Sequence, residues 1–323
     1  MNPIKPMNAF SLFRIPARWH ALPYTLACGA LGALVAHAAL AHDSPAQQTQ
    51  ALPGKTWVLD GHALALGDGK VSTHPQSGHV YACNTRFMGR GAFRDGDWIS
   101  GMTWDEGRKI FVQGDVAWPE AQFALNHTGA QRLLSGNGLP VGSSTGVFPV
   151  QRSDPAFQVD RNPNHIAAQR VEVALPAQPE VLAQPGCVPM GRVGVMRNGV
   201  ALFNALDGEG RDAVAHEVQD HCGGHPERSG SYHYHGNSLC VPGASENNTL
   251  VGYALDGFGI TSMFDENGRE LTNADLDECH GRVSRIVWDG KEVEMYHYVL
   301  TREYPYTVGC FRGRVQAGQS HLN

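Results

Sequence analysis

The chain has 323 residues, of which 42% are hydrophobic and 17% are charged. This composition excludes an intrinsically disordered protein, and the length suffices for one large domain or two modest ones. Residues 1–41 contain Lys5, Arg14 and Arg18 and no acidic residue, so the remainder has 22 basic residues (25 − 3) and 31 acidic ones, a formal charge of −9. Without a basic run, the chain lacks the positive surface that nucleic-acid binding requires, and we expect no nucleic-acid partner.

The N-terminus has the features of an export signal. Basic residues precede residues 21–41, which are apolar and rich in small side chains, and Ala39-Leu40-Ala41 fits the small-x-small cleavage pattern. We therefore predict a signal peptide over 1–41, a flexible leader over 42–55, and a periplasmic or secreted protein with no stable membrane insertion after cleavage. The alternative is an uncleaved membrane anchor. Cleavage at this site would make His42 the first residue, and its amino group and imidazole together can chelate copper(II).

Beyond the leader, short β-prone segments alternate with turn signals. Glycine (38 residues) and proline (19 residues) are frequent, which favours turns and short strands over long helices. Asn198-Gly199, Asn267-Gly268 and Asp289-Gly290 are dipeptides typical of hairpin turns. The pattern indicates a fold built from hairpins.

Helical segments are few, and only 209–218 and 274–279 have sequences that would form a helical turn. We therefore predict a mostly β fold over residues 56–323. It would be a single domain of many short antiparallel strands, sandwich-like or barrel-like, with few short helices. The proline-rich stretch 176–190 is a candidate sub-boundary.

Six cysteines follow the proposed signal peptide, and an even number in an exported protein indicates three disulfides. Fifteen pairings are possible, and we favour Cys222–Cys240, Cys279–Cys310 and Cys83–Cys187. The first would enclose a histidine-rich segment. Metal ligation by thiolates is the alternative, although the sequence has no Cys-x-x-Cys pair.

Residues 216–240 hold five of the sixteen histidines and include Tyr232-His233-Tyr234-His235. On a β-strand, residues i and i+2 project from the same face, so His233 and His235 would lie side by side. Neutral imidazole suits zinc, copper, iron and nickel, and a complete site needs three or four donors. His225 follows two glycines, in a loop that can fold back on this strand. We therefore predict a transition-metal site, with copper or zinc as the ion.

A weak internal sequence similarity supplies two more candidate ligands. Asp277-Glu278-Cys279-His280-Gly281 is followed by Tyr296-His297-Tyr298-Val299, much as Asp220-His221-Cys222 precedes the Tyr-His-Tyr-His strand. The gap from cysteine to the first tyrosine is 10 residues in one case and 17 in the other. We expect the two Tyr-His-Tyr strands to lie near each other, so that His280 or His297 helps to bind the metal.

Five segments of the chain carry a specific resemblance: GVMRNGVALFNALDGEGRDAV (194–214), CGGHP (222–226), YHYHG (232–236), GYALDGFGI (252–260) and YPYTVGCFRG (304–313). On these segments the chain resembles the YHYH-domain family of exported bacterial proteins, and the resemblance covers most of residues 78–315. The family is defined by its motif, so the resemblance implies export and supplies no activity. In the second strand Val299 replaces a histidine, which leaves His297 without a neighbouring imidazole.

Two rival functions stay open beside metal binding. One is a metal-free hydrolase or lyase in which His233 or His235 acts as general base beside Asp256, with an unknown small molecule as substrate. The other is a non-enzymatic ligand-binding or surface module whose histidines only stabilise the sheet. Gly142-Ser143-Ser144-Thr145-Gly146 matches a nucleophile-elbow pattern, but it lacks the preceding strand and following helix that such an elbow needs.

Overall fold

A computed structural model of the chain describes residues 52–316, and the prediction of a mostly β fold is confirmed for them. The signal peptide, His42 and the leader up to residue 51 lie outside the described residues. Between residues 52 and 316, no helix is long and apolar enough to cross a membrane.

The strands are short because turn residues interrupt them repeatedly, and only the last two exceed six residues. Within the described range the strands are β1 (Leu64–Ala65), β2 (Val71–Ser72), β3 (Val80–Tyr81), β4 (Ile99–Ser100), β5 (Thr103–Trp104), β6 (Phe123–Thr128), β7 (Gln131–Gly136), β8 (Val171–Pro176), β9 (Arg192–Met196), β10 (Ala201–Phe203), β11 (Gly224–Pro226), β12 (Tyr232–Tyr234), β13 (Leu250–Ala254), β14 (Gly259–Thr261), β15 (Gly281–Trp288) and β16 (Lys291–Val299). The helical elements of the same range are α1 (Ala213–His216) and two 3-10 turns at Pro155–Gln158 and Asn273–Asp275.

Two of the predicted hairpin turns connect strands that are neighbours in the sheet. Asn198-Gly199 lies between β9 and β10, and the N–H of Gly199 donates to the carbonyl of Met196. Asp289 and Gly290 join β15 to β16 with φ values of 51° and 76°. Positive φ at both central residues is the geometry that matches the twist of a two-residue hairpin.

Eight strands form one sheet in the order β11-β12-β10-β9-β13-β14-β16-β15. The sheet is open, because β11 and β15 are its two edges, and so it is not closed into a barrel. Its pairings are antiparallel except for β10 with β12 and β14 with β16. The sequence did not predict these parallel pairs, which need crossover connections. The other strands form the small sheets β1-β5-β4, β2-β3 and β6-β7-β8.

The large sheet consists of two halves with the same strand plan. Outward from its centre, one half runs β9, β10, β12 and β11, and the other runs β13, β14, β16 and β15. The central strands β9 and β13 are antiparallel. An approximate twofold axis between them therefore relates the halves.

The two halves also share side-chain contacts. In each half, one aspartate accepts hydrogen bonds from two backbone N–H groups and one tyrosine hydroxyl. The matching sets are Asp220 with Cys222, Gly224 and Tyr232, and Asp277 with Cys279, Gly281 and Tyr296. Shared topology and shared contacts establish an internal repeat.

The six cysteines form three disulfides, in the pairing that the sequence analysis favoured. They are Cys83–Cys187, Cys222–Cys240 and Cys279–Cys310. The last two occupy matching places in the two halves. Such bonds are typical of proteins that fold in an oxidising compartment.

The two Tyr-His-Tyr strands do not lie side by side, so the expectation that they pool their histidines is wrong. Strands β10, β9, β13 and β14 separate β12 from β16. At a spacing of about 4.8 Å between neighbouring strands, this puts β12 and β16 about 24 Å apart. The separation follows from the twofold plan, which places each Tyr-His-Tyr strand towards its own edge.

Candidate metal centre

Three buried histidines converge at the edge of the first half. His225 on β11 is the register partner of His233 on β12, and His235 follows β12 on the face of His233. One ring nitrogen from each lies within 4.8 Å of the others. The side chains are almost inaccessible, since the residues are only 3–4% exposed. The structure thus brings together the three candidate ligands that the sequence placed on and beside the Tyr-His-Tyr-His strand.

The tyrosines of the same strand point away from this cluster. Tyr232 and Tyr234 are 1% and 0% exposed and belong to the apolar core. Tyr232 donates its hydroxyl to Asp220, and Tyr234 accepts a hydrogen bond from Asn198. Because the two tyrosines are fixed in the core, the alternation of the strand holds both histidines on the opposite face.

The tautomers of His233 and His235 follow from their backbone partners. Nδ1 of His233 lies 3.1 Å from the carbonyl of Ser231, and Nδ1 of His235 lies 2.5 Å from the carbonyl of Asn204. A carbonyl only accepts hydrogen bonds, so each Nδ1 carries the proton and each Nε2 carries a lone pair. The two Nε2 atoms are 3.0 Å apart. Two lone pairs face each other at hydrogen-bonding distance with no proton between them.

Burial keeps these imidazoles neutral. It lowers the pKa of His233 and of His225 well below the usual value, and the neighbouring histidines add to the effect. It also lowers the pKa of His235 to about 4. Both ring nitrogens of His225 are buried without a hydrogen-bond partner. Neutral imidazole with an unshared lone pair is the form that binds a transition metal.

The carboxylate of Glu217, which the sequence did not predict as part of the site, also points at the histidine cluster. Oε2 of Glu217 lies 3.5 Å from Nε2 of His225 and 3.6 Å from Nε2 of His235. This oxygen is buried and has no hydrogen-bond partner. Burial raises the pKa of Glu217 well above its usual value, and the charges of Asp160 and Asp207 raise it further.

The surroundings separate the cluster from the nearby cavity. The ring of Phe203 stacks on His233 with centroids 3.9 Å apart. Lys109, whose charge acts on Glu217, donates to Gln219 and lines a cavity with Phe111, His221 and other residues. The three clustered histidines are not among the residues that line this cavity. The low exposure of the three histidines shows that protein encloses the cluster.

His280 and His297 lie outside the cluster, so the expectation that either completes it is wrong. Nε2 of His280 is 2.9 Å from the hydroxyl of Thr301. His297 contacts the hydroxyl of Thr261 through Nδ1 at 3.1 Å and that of Ser284 through Nε2 at 2.8 Å. Both rings are held in the second half of the sheet, where hydroxyl groups contact both nitrogens of His297 and Nε2 of His280.

Asp256 also lies in the second half, and its carboxylate is occupied. It accepts hydrogen bonds from the hydroxyl of Tyr298 at 2.6 Å and from the N–H groups of Phe258 and Gly313. The residue is 0% exposed. Such a carboxylate holds a turn and a strand together, and the structure does not bring it beside His233 or His235 as the general-base hypothesis requires.

Ser144 is not part of a nucleophile elbow. It lies in a loop between isolated bridges, with its hydroxyl 3.5 Å from Nε2 of His221, at the limit of hydrogen bonding. The strand-turn-helix context of an elbow is missing from this loop.

Comparison with known proteins agrees with the strand motif. The family model described as YHYH protein matches residues 172–268, which include all of β8 except Val171, β9 to β14, Glu217 and the three clustered histidines. No curated protein and no solved structure matches the chain. Residues 172–268 are therefore a YHYH domain.

Proposed function

We propose that this protein is an exported transition-metal-binding protein whose centre is formed by His225, His233 and His235. The observation that carries the proposal is the 3.0 Å separation of the Nε2 atoms of His233 and His235, whose Nδ1 atoms both face backbone carbonyls. A buried arrangement of this kind is unfavourable without a cation between the rings, whereas a metal ion is bound by both lone pairs at once.

The contacts on the far side of the rings support the same proposal. Metal-ligating histidines almost always donate the other ring N–H to a carbonyl, carboxylate or water, which fixes ring orientation. The carbonyls of Ser231 and Asn204 supply such contacts to His233 and His235. Copper and zinc are the ions we propose, because both accept imidazole donors and copper binds more tightly at equal availability.

Export is part of the proposal. The three disulfides favour a periplasmic or secreted location, where thiols are oxidised. The N-terminal sequence has the composition of a cleavable signal.

Elemental analysis of the mature protein, purified without a histidine tag, tests the proposal. We expect close to one equivalent of copper or zinc in the wild type and none in the His233→Ala/His235→Ala variant. Added metal should raise the melting temperature, because an ion at 100 times its Kd adds about 2.7 kcal/mol to the free energy of unfolding. Absence of metal after incubation with both ions, together with unchanged melting, would refute the proposal and favour a structural role for the histidines.

A further inference from the structure

We propose that Glu217 is the fourth ligand of the centre, which then binds a divalent ion in a closed set of three imidazoles and one carboxylate. This inference rests on the proposed function. To that function it adds the fourth ligand, the preference for a divalent ion and a coordination sphere filled by protein donors alone.

Three distances between the proposed donor atoms are close to those expected around one ion. A tetrahedral ion with bonds of about 2.0–2.1 Å holds its nitrogen and oxygen ligands about 3.3 Å apart. Nε2 of His233 and Nε2 of His235 are 3.0 Å apart. Oε2 of Glu217 is 3.5 Å from Nε2 of His225 and 3.6 Å from Nε2 of His235. Three of the six edges of the tetrahedron are thus within a few tenths of an ångström of the expected length.

The carboxylates around Glu217 have partners, whereas Oε2 of Glu217 accepts no hydrogen bond, and the charges of Lys109 and Arg211 act on it only at a distance. Asp207 is paired with Arg211 at 2.9 Å, and Asp160 accepts backbone hydrogen bonds from Asn162 and Val218. Oε2 of Glu217 has no comparable partner. Burying an uncompensated carboxylate is unfavourable, and buried charges are normally paired or coordinate metals. A bound divalent ion supplies the missing positive charge.

The local fold explains why Glu217 reaches the histidines. Asp212 caps the start of α1 by accepting from the N–H of Ala215, and Glu217 ends the helix by donating its N–H to Ala213. The chain then continues in an extended conformation, with φ −79° and ψ 151° at Glu217. The helical turn therefore fixes this residue at a defined position beside β11 and β12.

The donor set indicates which ions the centre prefers. Carboxylate is a hard ligand and carries a formal charge, so it favours Zn²⁺ and Cu²⁺ over Cu⁺, which is soft and singly charged. Four protein donors fill a tetrahedral sphere and leave no position for substrate, as in structural zinc sites. The ion would connect α1, β11 and β12.

Metal competition with Glu217→Gln tests this assignment. Gln preserves the shape of the side chain and removes its charge, while Glu209→Gln, on an exposed side chain paired with Arg211, removes a charge nearby without reaching the imidazoles. We expect Glu217→Gln to lower Zn²⁺ affinity at least tenfold against a chromophoric chelator. Cu⁺ affinity, measured without oxygen, should fall less, and Glu209→Gln should match the wild type for both ions.

Other outcomes separate this inference from the proposed function. Unchanged Zn²⁺ affinity in Glu217→Gln, or an equal loss for Zn²⁺ and Cu⁺, overturns the fourth-ligand assignment even if His233→Ala abolishes binding. If the wild type binds neither ion, the proposed function itself fails. If Glu217→Gln does not fold, Glu217→Asp serves instead, because it keeps the charge and shortens the side chain by one methylene. Full Zn²⁺ affinity in Glu217→Asp would count against direct ligation.

Discussion

His233 and His297 occupy the same place in the two halves of the sheet, yet only His233 has imidazole neighbours. The register partner of His233 is His225, whereas that of His297 is Arg282. Two residues after His233 comes His235, and two residues after His297 comes Val299. The repeat therefore supplies an internal control for each property assigned to the cluster.

Replacing each of these two histidines should give different results. We expect His233→Ala to abolish stoichiometric metal binding and His297→Ala to leave it intact, because His297 bonds only hydroxyl and backbone groups. Both rings are buried, so each substitution should cost about 1–3 kcal/mol of stability without metal. Titration with Zn²⁺ and chemical denaturation of both metal-free variants measure the two effects. Equal loss of metal in both variants would contradict the placement of the site.

The matched disulfides allow a second comparison. Cys222–Cys240 encloses His225, His233 and His235, whereas Cys279–Cys310 encloses none of the cluster. Loss of either bond should lower stability by about 3 kcal/mol on the loop-entropy estimate. Only the Cys222→Ser/Cys240→Ser variant should also lose metal affinity, because its open loop no longer holds the histidines together. Calorimetric titration of both double variants checks this, and a similar affinity in the two would contradict it.

Asp256→Asn should destabilise the protein without affecting metal. The carboxylate accepts a 2.6 Å bond from Tyr298 and a 2.8 Å bond from the N–H of Gly313. An amide has only one acceptor oxygen, so we expect a loss of about 1–3 kcal/mol. In the first half of the sheet, Asn198 occupies the position that matches Asp256 and donates to Tyr234, the counterpart of Tyr298. An amide is therefore compatible with this turn. Thermal unfolding and metal titration measure the two effects, and loss of metal in a folded variant would restore Asp256 to the site.

His280 should make the protein less stable in mild acid. Burial lowers its pKa to about 3, below the value of about 6.5 in the unfolded chain. Below pH 6.5 the unfolded state therefore binds a proton that the folded state does not, and stability falls as the pH decreases towards 3. The loss from this one group is about 1.4 kcal/mol per pH unit.

The variant His280→Asn isolates this effect. The backbone φ of His280 is 71°, a conformation that asparagine tolerates. We expect the variant to lose less stability than the wild type between pH 6.5 and 5 in denaturant titrations. His74→Asn, on an exposed residue, is the control and should follow the wild type. Parallel pH profiles for wild type and His280→Asn would show that His280 is not held neutral in the fold.

The part of the site that depends on local periodicity could be predicted from the sequence. Alternation along β12 correctly placed His233 and His235 on one face, with Tyr232 and Tyr234 in the core. The paired glycines before His225 correctly suggested that the chain turns back on that strand. These inferences need only the two-residue period of a strand and the turn chemistry of glycine.

The other features of the fold and of the site depend on long-range topology, which the sequence does not reveal. Nothing in the sequence spacing of the two Tyr-His-Tyr strands reveals that four other strands lie between them. Glu217 gave no periodic signal, because it reaches the cluster from the end of a single helical turn. The unequal gaps of 10 and 17 residues concealed a repeat that matched contacts of Asp220 and Asp277 make plain.

The most direct test of the central claim is anomalous diffraction from crystals of the mature protein grown with one equivalent of Zn²⁺ or Cu²⁺. We expect one strong anomalous peak about 2.0–2.1 Å from the Nε2 atoms of His233 and His235 and in contact with His225. A peak elsewhere, or a well-ordered cluster with only a hydrogen bond between His233 and His235, would contradict it.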